Sequence, residues 1–119
     1  MDQKVPVFSI EDVNRIITRE FPRESFDMVF SILMKYSGEG SKNGRYRVWI
    51  DAIRNSSKNI ERLRNQIEIA IIDYRDVISK AEYPEYTDKI SFGGAVSKLF
   101  EKEVIQRDYV QYEKWVASK

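Results

Sequence analysis

The chain has 119 residues, 20 of them Lys or Arg and 19 Asp or Glu, for a formal net charge of +1. That length fits a single domain, residues 1–119, able to bury about two thirds of its unfolded surface without metals or disulfides. Cysteine and histidine are both absent, which excludes thiolate and histidine metal sites, disulfide frameworks, and serine or cysteine nucleophiles activated by a histidine of this chain.

The N-terminal "MDQKVPVFSIED" lacks the charged start and apolar run of a signal peptide. No stretch approaches the roughly 18 uninterrupted apolar residues that a membrane helix requires. The expectation is a cytoplasmic protein without a membrane partner.

Ser9 is a natural N-cap, with Asp12 three residues on as a shortened capping box and Phe8 placed to staple onto Val13. Ile10, Val13, Ile17 and Phe21 mark one apolar face, and Pro22 ends this helix at about Glu20. Ser25 can cap a second helix, with Phe26, Val29, Phe30, Leu33 and Tyr36 on one side. Met28, Ile32 and Met34 leave that helix almost no polar side, which predicts a central, buried position. "SGEGSKNG", residues 37–44, reads as a loop.

Tyr46, Trp49, Ile50 and Ile53 keep helical spacing; Val48, Ile50 and Ala52 would also suit a strand, and helix is preferred. Ser57 is the expected cap of the strongest helix, residues 58–82. There Ile60, Leu63, Ile67, Ala70, Tyr74, Val77 and Ala81 recur in steps of three and four, and Ile71 and Ile78 widen the stripe. Pro84 bars continuation, so residues 83–94 read as a loop, with Ser91 near the start of the last helical region. In that region Val96, Leu99, Phe100 and Val104 are out of phase with Ile105, Tyr109, Tyr112 and Val116. Either one helix changes its contact face or two helices meet, with Asp108 and Gln111 as a new cap. The fold class is all-α, a compact bundle of five or six helices around one core.

The densest chemistry lies in "IAIIDYRDVISKAEYPEYTDK", residues 69–89, whose candidate functional cluster is Asp73, Arg75, Asp76, Glu82, Tyr83 and Glu85. At about 100° per residue, Asp76 projects opposite the main apolar stripe, together with Ile69 and Ile72. Ile69 and Ile72 are therefore either a second buried face of a central helix or a candidate interface with another subunit. A covered Asp76 would need a partner, either Lys80 or an arginine of the basic segment. Asp73 could receive the N-terminus of another helix.

With Asp88, the same carboxylates could hold Mg²⁺ or Mn²⁺ for phosphate-ester or nucleotide hydrolysis. However, Pro84 interrupts the Glu82–Glu85 interval, and Gly38, Gly40 and Gly44 lack phosphate-loop spacing. No metal or cofactor is expected. Residues 42–64 form a basic segment, with Arg45, Arg47, Arg54, Arg62 and Arg64 as a candidate patch. Because Tyr46 and Trp49 fall on the apolar face, nucleic acid is not the expected partner.

The run Arg45, Val48, Leu63, Ala70, Asp73-Tyr74-Arg75-Asp76-Val77 and Ala81-Glu82-Tyr83-Pro84, with a closing Asp108, Gln111-Tyr112 and Trp115, resembles a pattern in small uncharacterised bacterial helical proteins. The resemblance covers about the C-terminal two thirds of the chain. It implies a bacterial cytosolic origin and carries over no activity, cofactor or site residue. The expected role is that of a non-enzymatic protein acting through contacts with a protein partner or with itself.

Overall fold

A computed structural model describes residues 6–38, 42–91 and 98–119. The capping box forms as the sequence predicts: the Asp12 amide donates to Ser9 Oγ at 3.2 Å, and the Ser9 amide donates to Asp12 Oδ2 at 2.9 Å. From it runs α1 (Ile10–Glu20). A 3₁₀ turn, Arg23–Ser25, leads into α2 (Phe26–Met34), so Ser25 closes that turn and makes no side-chain cap. Then come α3 (Lys42–Ser56), α4 (Ile60–Glu82), α5 (Pro84–Ser91) and α6 (Lys98–Ala117). The fold is an all-α bundle, and none of the described helices is long and apolar enough to cross a membrane.

The centre of the molecule is the pairing of α3 with α4, onto which α1 and α2 pack. Val13, Ile16 and Ile17 of α1 meet Val29, Ile32 and Leu33 of α2, Val48, Trp49, Ile50 and Ile53 of α3, and Leu63, Ile67, Ala70 and Val77 of α4. Trp49 is fully inside and satisfies its indole N–H on the Tyr36 carbonyl at 3.0 Å. The buried centre is thus α3, not α2: Met28 and Met34 are about half exposed, so α2 lies at the surface and its apolar excess is only partly used. The strand alternative for residues 48–52 is replaced by helix, and α3 already begins at Lys42, inside the expected loop.

Between α3 and α4, Ser57 and Lys58 take left-handed backbone angles, with φ of 50° and 66°. Such a conformation closes a helix and does not cap the next one. Asn59 takes the capping role expected of Ser57, accepting the Arg62 amide at 2.9 Å.

Pro84 does end α4, but residues 84–91 are helix and not loop. Proline fits the first helical position, where no backbone N–H is needed. Asp108 makes this start possible: its Oδ2 accepts the Tyr86 amide at 3.0 Å and its Oδ1 the Glu85 amide at 3.4 Å. Asp108 therefore caps α5 across the fold and does not start a helix of its own. The phase slip near residues 104–108 falls inside one continuous helix, α6, and no second helix starts there. Residues 92–97, with Gly93, Gly94 and Val96, lie outside the described residues, as do 39–41 of the earlier loop.

Arginines close the other end of α6. Arg19 Nη1 donates to the carbonyls of Trp115 at 2.6 Å and Ser118 at 2.7 Å, and its guanidinium lies 4.7 Å from the Trp115 ring centroid. The last turn of α6 is thereby tied to α1.

Candidate functional site

Two places concentrate side-chain chemistry, both on α4. The first is a break in that helix. Asp73 has φ −155° and ψ 99°, extended values inside a run that is otherwise helical. Two β-branched residues, Ile71 and Ile72, precede it and hold helix less firmly than unbranched ones. The Asp73 carboxylate then competes for the backbone, taking the Arg75 amide on Oδ1 at 3.1 Å and the Arg75 guanidinium at 2.9 and 3.2 Å. The side-chain hydrogen bond from Arg75 holds the Asp73 pKa below its ordinary value. Asn55 of α3 spans the break, with its amide nitrogen donating to Gln66 Oε1 before it and to the Val77 carbonyl after it, each at 3.0 Å.

Exposed apolar side chains flank the break. Ile72 is 87% exposed, Ile71 58% and Tyr74 48%. A groove of about 700 Å³ lies on one side, bordered by Tyr74, Ile78, Tyr83 and Tyr86. Another of about 730 Å³, bordered by Tyr36, Val48, Ala70, Ile72 and Ile78, lies on the other. The expected second buried face is therefore absent at Ile72 and Asp76, which are exposed, while Ile69 is half-buried against the core. Ile71 and Tyr74, expected on the core stripe, are exposed, one on each side of the break. Asp76 makes no ion pair with Lys80 or with any described arginine.

The second place is sealed. At the end of α4, Glu82 is wholly buried and receives Arg47 Nε and Nη2 on its two oxygens, each at 2.7 Å. Beside it Asp51, also wholly buried, accepts the Tyr112 hydroxyl at 2.5 Å. Burial, then the hydrogen bond and charge of Glu82, push Asp51 well above the usual carboxylate range. Burial likewise raises Tyr112. Tyr83, Tyr109, Tyr112 and Trp115 form an aromatic row with successive centroids 6.0, 6.0 and 6.4 Å apart. The Arg54 guanidinium lies over Tyr112 and Trp115 at 5.8 and 5.3 Å and donates through Nε to the Ala81 carbonyl.

The residues of the sequence-derived cluster are not brought together. Asp73 and Arg75 pair at the break, Asp76 faces outward, Glu82 and Tyr83 turn inward, and Glu85 pairs with Arg107 of α6 at 3.0 Å. Among the described residues no three carboxylates gather to hold a metal ion. The basic segment also divides. Arg47 and Arg54 turn inward, Arg45 stacks on Tyr46 and Trp49, Arg64 meets Glu61 at 3.4 Å, and Arg62 is exposed. Its described residues form no continuous basic face with free aromatic platforms.

The chain matches no family model, no curated protein and no solved structure. What it can do is therefore read from its own geometry. Sequence reasoning passed over Asp51 and Arg19, and it read Asp108 as the cap of a new helix and Tyr112 as one of an apolar stripe. Asp51 did carry a signal, as a lone acid inside the apolar run Val48–Ile53.

Proposed function

We propose that this protein acts through contacts and not catalysis, and that its partner is a second copy of itself, held at the break in α4. The supporting observation is an apolar knob of Ile71, Ile72 and Tyr74 on the rim of a groove of mixed lining, apolar at Val48, Ala70 and Ile78 and polar at Arg47, Asp73 and Arg75. A face carrying both knob and hole suits a twofold contact, in which each copy inserts Ile72 into the other. The surrounding charges fit the same partner: Asp73 and Asp76 alternate with Arg75 and Lys80, so an antiparallel copy would set acids against bases. A strongly acidic or basic partner would find no matching field. Covering Ile72 would contribute about 1.5–3 kcal/mol per copy.

The bacterial cytosol is the setting proposed with this role, on the strength of the Asp73–Val77 pattern. The phosphate-ester hydrolase alternative has no assembled carboxylate site behind it among the described residues.

Sedimentation velocity over a range of concentrations tests the reading. Wild type should move from monomer to dimer mass as concentration rises, and Ile72→Asp should stay monomeric with unchanged circular dichroism. A wild type that is monomeric throughout, or a variant that still dimerises, contradicts it.

A further inference from the structure

The junction of α3, α4 and α6 poses a hydrogen-bonding problem that ionised carboxylates do not solve. Asp51 Oδ1 accepts the Tyr112 hydroxyl, while Oδ2 is buried and receives no donor. The charged and titratable groups facing it are already committed. On α3, Arg47 gives Nε and Nη2 to Glu82, and Arg54 gives Nε to the Ala81 carbonyl and its plane to two rings. On α6, Asp108 holds the amides of Glu85 and Tyr86, and Tyr109 stacks between Tyr83 and Tyr112. On α1, beyond Arg54, Arg19 is bound to the end of α6. Among the described residues α4 adds only another acid, Glu82, whose hydrogen bonding and charge both favour the protonated form of Asp51.

Two acids hydrogen-bonded to each other need a hydrogen between them. Two negative charges so close in a dry interior repel too strongly for both groups to ionise. We infer that Asp51 and Glu82 share one proton, carried on Asp51 Oδ2, and that this proton fastens α6 to the α3–α4 pair and makes its attachment depend on pH.

Protonated, Asp51 donates to Glu82 and accepts from Tyr112, so every buried oxygen of the pair is satisfied and the single remaining charge faces Arg47. Deprotonated, it sets a second charge against Glu82 and leaves Oδ2 without a donor. Strain then falls on the Tyr112 link, and α6 is the element held there. In the unfolded chain Asp51 loses its proton near pH 4, whereas the fold retains it to higher pH. The folded state thus binds the extra proton, and stability falls as pH rises from about 4 through the folded value. Asp108, also raised by burial, tilts stability in the same direction, so a variant is needed to assign the slope.

Asp51→Asn is that variant, a neutral group of the same shape whose amide can donate to Glu82 while its carbonyl accepts from Tyr112. Wild type should lose on the order of 5–10 °C of melting midpoint between about pH 5 and pH 9, and the variant distinctly less. Over the same range, exchange of α6 amides, corrected for its intrinsic pH dependence, should accelerate in wild type and not in Asp51→Asn. The carboxyl carbon of Asp51 in the wild-type protein, read by NMR at neutral pH, should have the shift of a protonated acid. An ionised resonance there overturns the inference, even if the variant fails to fold. So does an Asp51→Asn protein that keeps the wild-type slope.

Discussion

Two of the acid–arginine pairs on helix α4 have nearly the same geometry and opposite character. Asp73 holds Arg75 at 2.9 Å near the middle of the helix, with side chains 34% and 75% exposed. Glu82 holds Arg47 at 2.7 Å at its end, with side chains 0% and 19% exposed. The first is local, shapes two residues of backbone and lies in water, where ion pairs add little to stability. The second joins α3 to α4 in the dry interior, where each charge depends on the other for having left water. The comparison teaches that the same chemistry shapes a surface in one place and locks a core in the other, with burial deciding which.

The largest effect that would sharpen this contrast comes from Glu82→Ala. It strands the Arg47 guanidinium and removes the acceptor for Asp51, so unfolding free energy should drop by about 3–5 kcal/mol in a denaturant titration. A loss within error would mean that the sealed pair is as dispensable as the exposed one. Asp73→Ala stands at the other end of the scale. It removes the cap that interrupts α4, so the melting midpoint of the dilute monomer should barely move. Continuous helix through position 73 would turn Tyr74 back toward the core stripe and out of the exposed knob, and self-association should weaken with helix content unchanged or slightly higher. An Asp73→Ala protein that melts as low as Glu82→Ala would break the comparison.

The parts of the fold readable in the sequence are those built from neighbours along the chain. The Ser9–Asp12 capping box and the apolar face Ile10, Val13, Ile17 and Phe21 lie within a dozen residues, and α1 forms as they predict. Pro84 misled because proline both stops one helix and starts another. Only Asp108, far along the chain, supplies the amide acceptor that lets α5 begin. The break at Asp73 was hidden for a different reason: Ile67, Ala70 and Val77 keep helical phase on either side of it, so periodicity passes over the interruption. The visible sign was an acid directly after two isoleucines.

The candidate cluster suffered from adjacency. Asp73, Asp76, Glu82 and Glu85 are close in sequence, but the break, the helical rotation and the turn at Pro84 send them to separate surroundings. The true partners of Glu82 and Tyr83, namely Arg47, Asp51 and Tyr109, come from other helices. No local pattern announces them. Asp51 alone carries a local sign, as a lone acid inside the apolar run Val48–Ile53.

The most direct test of this division is amide hydrogen exchange at two protein concentrations. The amides of residues 71–75 should exchange rapidly in dilute solution and become protected as concentration rises, while those around Asp51 and Tyr112 stay protected at both. Kink amides that are indifferent to concentration, or as slow as the core when dilute, would contradict the account.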